Sequence, residues 1–164
     1  MNIIEVKRTD AINGPGVRAS IWCAGCNNKC PGCWAMNTWN PKIGTPYSDI
    51  KEEITDAVSN ENLDGFSILG GDPFYGIMNN VDDDLIDLLH LIQDNKKTEQ
   101  TIWLWTGYDL DELKNNDKAP EALSLIDVLV SGRYMEAERD LTIKYRGSRN
   151  QIVTDLHTNK PLNV

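Results

Sequence analysis

The sequence predicts an α/β fold in which helices cover a parallel sheet. Four short apolar segments of strand character recur along the chain, and patterns with apolar residues at helical spacing separate them. Turns containing glycine or cysteine follow these segments directly. Because repeated βα units pair their strands in parallel, both faces of the sheet are expected to be buried.

The predicted strands span residues 17–22, 65–69, 101–105 and 127–130. Residues 49–59 and 85–94 carry apolar residues at helical spacing and are predicted to be helices, the first with Ser48 as its N-cap. A short helix is predicted at 111–115, and residues 121–126 continue that connection. The βα pattern then fades, and residues 141–145 are predicted to form a further strand.

Composition limits the classes of protein and partner. A chain of 164 residues with 40% hydrophobic content fits one domain, residues 1–164, with a substantial core. Its 16 basic and 25 acidic residues give a net charge of -9, which repels phosphate backbones and argues against nucleic-acid binding. No signal peptide and no run of ~20 apolar residues is found, so we expect a cytoplasmic protein with reduced cysteines and no membrane contact.

Three cysteines, Cys26, Cys30 and Cys33, lie in a short loop at Cys-x3-Cys-x2-Cys spacing. Thiolates are soft ligands that suit iron-sulfur clusters. A 4Fe-4S cluster held by three cysteines keeps one iron without a protein ligand, and that iron can bind a substrate. No histidine lies at a spacing that indicates a nucleophilic triad, so no catalytic side chain is assigned.

A fourth cysteine, Cys23, raises the alternative of a closed zinc site held by all four thiols. The usual four-cysteine zinc pattern separates its two pairs by ~15–20 residues, whereas only three residues intervene here. Cys23 also ends the segment 19–23, which has strand character. A buried, inert thiol is therefore the favoured interpretation of Cys23.

The cysteine loop resembles the signature of radical S-adenosylmethionine (SAM) enzymes. Four further motifs narrow the resemblance to the glycyl-radical enzyme activases that serve anaerobic ribonucleoside-triphosphate reductases. They are Asn-Gly-Pro-Gly-Val-Arg at 13–18, Gly-Gly-Asp-Pro at 70–73, Trp-Thr-Gly-Tyr at 105–108 and Arg-Gly-Ser-Arg-Asn-Gln at 146–151. Each motif alone is weak, but the five occur in the right order between residues 12 and 151, which makes the signal specific.

The resemblance implies a fold and a set of site residues. It implies an abbreviated, open partial βα barrel, because the chain is shorter than the ~250 residues of a closed eight-fold barrel. It implies that Cys26, Cys30 and Cys33 hold a 4Fe-4S cluster. The residues that it places against SAM are Gly32, Cys33, Trp34, Gly70, Gly71 and Asp72.

Several of these roles have alternatives. Trp34 either lines the adenine side of the pocket or shields the cluster from water. Arg18 either contacts an anion beside the cysteine loop or belongs to a plain chain reversal. Residues 146–151 form either a solvated turn or a contact with cofactor or partner.

The resemblance also implies an activity. An electron from a low-potential donor such as flavodoxin reduces the cluster, SAM is cleaved to methionine and a 5'-deoxyadenosyl radical, and this radical removes a hydrogen from a glycine of the reductase. The implied partner is therefore the glycyl-radical subunit of an anaerobic ribonucleoside-triphosphate reductase. Two alternatives remain, namely an activase of a formate-lyase type enzyme and a non-enzymatic cysteine-rich metal module.

Overall fold

The computed structural model describes residues 1–164 and contains one mixed sheet of eight strands. The strands are β1 Asn2–Asp10, β2 Arg18–Cys23, β3 Thr45–Pro46, β4 Gly65–Gly70, β5 Thr101–Trp105, β6 Val128–Ser131, β7 Ile152–Asp155 and β8 Lys160–Pro161. Their order across the sheet is β3-β1-β2-β4-β5-β6-β7-β8. The four central strands are parallel, and the outer ones pair antiparallel on both sides. The two edge strands are two residues long and each includes a proline.

Five α-helices connect these strands. They are α1 Tyr47–Val58, α2 Tyr75–Met78, α3 Asp84–Asn95, α4 Leu110–Lys114 and α5 Ala119–Ser124. Two 3-10 turns, Met36–Thr38 and Glu136–Glu138, lie in the loops after β2 and β6. None of the helices has the length and apolar character needed to cross a membrane.

The sheet carries apolar side chains on both faces. Along β5, Ile102 and Leu104 join the large core cluster that also contains the apolar residues of α1 and α3, whereas Trp103 and Trp105 belong to a second, smaller cluster on the opposite face. This alternation follows from the two-residue period of a strand. The four parallel strands are thus buried on both sides, as predicted.

The structure confirms the α/β class and each of the four predicted parallel strands to within one or two residues. It also confirms the two long helices, because α1 and α3 overlap the predicted ranges 49–59 and 85–94. The short helices α4 and α5 lie in the predicted connection between β5 and β6.

Two local predictions were wrong. Helix α1 begins at Tyr47 with Pro46 as its N-cap residue, and the Ser48 hydroxyl donates to the Asp49 carboxylate instead of capping the helix. Residues 141–145 form a loop and not a strand. Tyr145 adopts a left-handed backbone with φ of 62°, and its carbonyl accepts a hydrogen bond of 2.8 Å from the Trp105 indole. That conformation lies outside the β region of backbone dihedral angles.

Arg18 was expected as a possible anion contact beside the cysteine loop, and the structure contradicts this. Arg18 begins β2 and is fully buried at the amino ends of the parallel strands, opposite the cysteine loop. Its guanidinium donates to the Ser67 hydroxyl, to the carbonyls of Pro15, Phe66 and Thr101, and to the Thr101 hydroxyl. No donor is left for an anion, so Arg18 has a structural role.

Candidate functional site

The four parallel strands end at one edge of the sheet, and the turns that follow them meet there. The cysteine loop, residues 24–33, follows β2, and the turns at 71–73, 106–108 and 132–134 follow β4, β5 and β6. In open α/β sheets ligands bind at this carboxyl edge. The motifs that the sequence analysis placed after strands are therefore brought together.

The start of the cysteine loop packs against Gly70, the last residue of β4, and against Gly71, the first residue after it. The Gly71 N–H donates to the Cys23 carbonyl at 2.8 Å, and the Asp72 N–H donates to the Gly25 carbonyl at 2.7 Å. A Cβ atom at Gly71 would lie 2.5 Å from the Gly25 oxygen, and one at Gly70 would lie 2.5 Å from the Cys23 oxygen. Only residues without a side chain allow the two backbones to approach so closely.

Backbone bonds also fix Cys26. Its N–H donates to the Trp39 carbonyl at 3.1 Å, and the side chain is buried. Burial raises the pKa of the Cys26 thiol, and the nearby Asp72 charge raises it further. The neighbouring backbone N–H groups of Asn28 and Lys29 act in the opposite direction and favour the thiolate. The sulfur therefore lies in a pocket of donors that suits a metal-bound thiolate.

Cys30 and Cys33 are half-buried on the outer part of the loop. The Cys33 N–H donates to the Cys30 carbonyl at 3.1 Å, which closes a turn through Gly32 with φ of 78°. Burial raises the pKa of the Cys30 thiol, and the nearby backbone N–H of Tyr134 acts in the opposite direction. Tyr134 follows β6, so the fourth parallel strand also supports the cysteine loop.

The three thiols fit a cluster better than a single ion. No group of three or more histidine, cysteine, aspartate or glutamate side chains converges on one metal position. In a 4Fe-4S cluster each cysteine binds a different iron, so the sulfurs need not converge on a single metal position. The N–H donors at Cys26 and Cys30 match the hydrogen bonds that such thiolates accept.

Cys23 is separate from these three. It is fully buried within the large core cluster, and burial raises the pKa of its thiol to about 12. A thiol in that environment stays protonated and unreactive. The geometry thus supports the interpretation of Cys23 as an inert core residue and gives no closed four-cysteine zinc site.

Asp72 links three of the loops. Its buried carboxylate accepts from the Thr106 hydroxyl at 2.9 Å and from the Gly107 N–H at 2.9 Å. It also accepts from the Phe74 N–H at 3.1 Å and from the Asn28 side chain at 2.8 Å. Burial raises the pKa of Asp72 to about 6 in spite of these donors. We call these five residues the Asp72 network.

The sequence indicated only part of this arrangement. Thr106 and Gly107 belong to the Trp-Thr-Gly-Tyr motif at 105–108, and the structure shows that both donate hydrogen bonds to Asp72. Asn28 and Tyr134 were not identified. Asn28 is a polar loop residue without periodicity, and Tyr134 contributes a backbone N–H that any non-proline residue could supply.

Trp34 projects from the end of the cysteine loop with 80% of its surface exposed. Its ring meets the Trp22 ring edge to face, with centroids 5.9 Å apart. Trp22 lies on β2, so this contact holds Trp34 beside the sheet edge. The exposed face of Trp34 is available to a ligand or to a partner protein.

Residues 146–151 form a structured turn. The Gln151 side chain accepts from the N–H groups of Gly147 and Ser148 and donates to the Gly132 carbonyl at 3.0 Å. Ser148 is fully buried. The turn therefore packs against the segment after β6, and a mainly solvated turn is not observed.

Comparison with known proteins agrees with this site. A family model described as a 4Fe-4S single cluster domain matches residues 12–154. The chain is similar to proteins named anaerobic ribonucleoside-triphosphate reductase-activating protein. The one from Escherichia coli K12 is 34% identical, over 95% of this chain and 99% of that protein. Those from Haemophilus influenzae and Enterobacteria phage T4 are 34% and 32% identical, over 93% and 92% of this chain and 97% and 92% of their own lengths.

These matches cover almost the whole sequence and include the cysteine loop, the Gly-Gly turn and the turn after β5. The chain belongs to the 4Fe-4S single cluster domain family and, within it, to the family of the anaerobic ribonucleoside-triphosphate reductase-activating proteins.

Proposed function

We propose that this protein activates an anaerobic ribonucleoside-triphosphate reductase by reductive cleavage of SAM on a 4Fe-4S cluster. The observation that carries the proposal is the grouping of Cys26, Cys30 and Cys33 on one loop at the carboxyl edge, with Cys23 withdrawn into the core. Three available thiols are the number that leaves one iron open. The names of the relatives supply the partner.

The residues expected to hold SAM lie around the same edge. Gly32 and Cys33 are on the outer part of the cysteine loop, and Trp34 directly follows it. Gly70 ends β4, and Gly71 is the next residue. The Gly71 carbonyl accepts no hydrogen bond within the chain and is free to accept one from the SAM ammonium group. Asp72 is saturated by its four internal donors, so it supports the SAM site by fixing the loops around it.

Cys26, Cys30 and Cys33 would hold the cluster, which would supply one electron to SAM. Cleavage of a carbon-sulfur bond would then give methionine and a 5'-deoxyadenosyl radical able to take a hydrogen atom from a glycine of the reductase. The protein's own residues would bind the cluster, orient SAM and exclude water from the site. Glycine suits this step because its Cα has no side chain to obstruct the approach. The first electron comes from a low-potential donor such as flavodoxin.

The fold is proposed to be an open partial barrel of the radical SAM type. The sheet is not closed, since β3 and β8 are its two edges. Because the sheet does not close into a barrel, a loop of a large partner protein, and not only a small molecule, can reach the site at the carboxyl ends of the parallel strands.

The test uses the four single cysteine-to-alanine variants, purified without oxygen and reconstituted with iron and sulfide. Cys26→Ala, Cys30→Ala and Cys33→Ala are expected to lose cluster iron and dithionite-driven release of methionine and 5'-deoxyadenosine. Cys23→Ala is the matched control and is expected to retain both. A protein that binds one zinc through all four cysteines contradicts the proposal.

The partner is tested in the same preparation. Incubation with SAM, dithionite and the reductase is expected to give the electron paramagnetic resonance doublet of a glycyl radical on the reductase. A formate-lyase type glycyl-radical enzyme serves as the control substrate. A radical on the control and none on the reductase would assign the protein to the other class of activase.

A further inference from the structure

The Asn28 side chain connects a cysteine sulfur with a buried carboxylate. Its amide nitrogen lies 3.7 Å from the Cys26 sulfur and 2.8 Å from Oδ2 of Asp72. An amide NH2 group has two hydrogens, so it can donate to both partners at once. An ionised carboxylate only accepts hydrogen bonds, so Asp72 requires the nitrogen end of the amide, and not its oxygen, to face the sulfur.

Asp72 is itself held in place by other loops. The Thr106 hydroxyl and the Phe74 N–H donate to Oδ1, at 2.9 and 3.1 Å, and the Gly107 N–H donates to Oδ2 at 2.9 Å. The orientation of Asn28 therefore depends on residues that follow β4 and β5. Because the carboxylate is buried, water does not compete for these bonds.

Gly107 provides the space that the Asn28 amide occupies. A Cβ atom at position 107 would lie 2.4 Å from the amide nitrogen and 2.9 Å from its carbon. Gly107 does not have a left-handed backbone, so alanine is compatible with its conformation. An alanine there would displace Asn28 and strain little else.

We propose that Asn28 is a positioning residue that raises the reduction potential of the cluster by donating a hydrogen bond to the Cys26 sulfur, with Asp72 and Gly107 fixing its orientation. Hydrogen bonds to cluster sulfurs favour the more negative, reduced state. This inference rests on the proposed function, because it requires Cys26 to be a cluster ligand. It assigns a role in tuning electron transfer to a residue of the x3 segment and to the glycine after β5.

The test compares the full chain with Asn28→Ala, Gly107→Ala, the double variant and Asn27→Ala, all reconstituted without oxygen. The cluster midpoint potential is measured without SAM by redox titration monitored by electron paramagnetic resonance. We expect Asn28→Ala and Gly107→Ala to lower the ratio of reduced to oxidised cluster at a fixed potential about tenfold, which is about 59 mV for one electron.

Asn27→Ala is the matched control. Asn27 lies on the same loop, but its side-chain amide donates to the Asn79 side chain at the surface and forms no hydrogen bond with a cysteine. The cluster midpoint potential of Asn27→Ala is expected to equal that of the unaltered protein. The double variant is expected to shift no further than Asn28→Ala, because residue 107 acts only through Asn28.

The outcomes separate this inference from the proposed function. Equal potentials in all variants with full iron content, or additive shifts in the double variant, overturn the inference and leave the proposed function intact. Loss of iron from Asn28→Ala and Gly107→Ala but not from Asn27→Ala also overturns the inference, because Asn28 would then be needed to hold the cluster and not to set its potential. If Cys26→Ala binds as much iron as the unaltered protein, the proposed function itself fails.

Discussion

The Arg18 guanidinium fills the space that Gly65 leaves by having no side chain. A Cβ atom at Gly65 would lie 2.7 Å from Nη2 of Arg18 and 2.1 Å from the Thr101 carbonyl oxygen. The buried guanidinium thus satisfies the backbone groups at the amino ends of the parallel strands. The candidate site lies at the opposite, carboxyl ends. Desolvation lowers the pKa of Arg18 to about 10, so the group stays charged at neutral pH.

Replacement of Arg18 by methionine is expected to lower the free energy of unfolding by roughly 3 kcal/mol, since it leaves buried carbonyls without donors. Urea unfolding measures this change. Arg8→Met is the control, because Arg8 forms an exposed ion pair with Asp56, and an effect within about 0.5 kcal/mol is expected. Similar effects for both variants would contradict the structural role of Arg18.

Asp10 is expected to make stability depend on pH. Burial alone would raise the pKa of Asp10, but hydrogen bonds from the Ser20 hydroxyl, the Asn13 amide and two backbone N–H groups outweigh it and lower the pKa. Because the pKa of Asp10 is lower in the folded than in the unfolded protein, its ionised form stabilises the fold at pH values above the unfolded-state pKa of about 3.9. This stabilisation is lost as the pH falls through the folded-state pKa.

Asp10→Asn is therefore expected to have a lower free energy of unfolding than the unaltered protein at pH 7. The difference between the two is expected to become smaller below about pH 4. Urea unfolding at pH 7 and at pH 3 measures this difference in the free energy of unfolding. Ser20→Ala removes one donor and is expected to show a smaller narrowing. A gap that does not change with pH would show that Asp10 is not responsible.

Gly71→Ala is expected to separate the cysteine loop from the end of β4. The added Cβ would lie 2.5 Å from the Gly25 carbonyl oxygen, and overpacking of this kind costs about 1–3 kcal/mol. Iron content after anaerobic reconstitution is expected to fall. Gly147→Ala is the milder comparison, because its Cβ would meet the Tyr134 ring at 3.1 Å. Full iron content in Gly71→Ala would exclude a role for this close backbone contact.

Trp34→Ala distinguishes the two interpretations of the exposed tryptophan. Because Trp34 is 80% exposed, its removal is expected to change the free energy of unfolding by less than about 0.5 kcal/mol. If it lines the adenine pocket, SAM binds up to about tenfold more weakly, as expected for one lost aromatic contact. Equilibrium binding of SAM to the reconstituted protein measures this. Faster loss of the cluster in air with unchanged SAM binding would favour the shielding role.

The parallel strands could be predicted because each is a short apolar run that ends in a turn residue. Strand β1 was missed, since Glu5, Lys7 and Arg8 interrupt its apolar pattern, and antiparallel pairing with β2 and β3 stabilises it. The strand expected at 141–145 depended on local β propensity, which the long-range bond from Trp105 to Tyr145 overrides.

The candidate site divides in the same way. Local spacing predicted the three cysteines as cluster ligands, and the family resemblance predicted a role for the two glycines at the end of β4. The contacts that orient them join residues far apart in sequence, such as Asn28 with Asp72 and Asp72 with Thr106, and polar residues in loops carry no periodic signal. Such pairs become visible only when the strand order is known.

The two ends of the sheet have a consequence for the protein in concentrated solution. Each is closed by a strand of two residues that contains a proline, Pro46 at one end and Pro161 at the other. Proline has no N–H to donate to an added strand, and an edge strand of two residues can form few backbone hydrogen bonds with it. Growth of the sheet by addition of further chains, the route to fibrils, is thereby blocked on both sides.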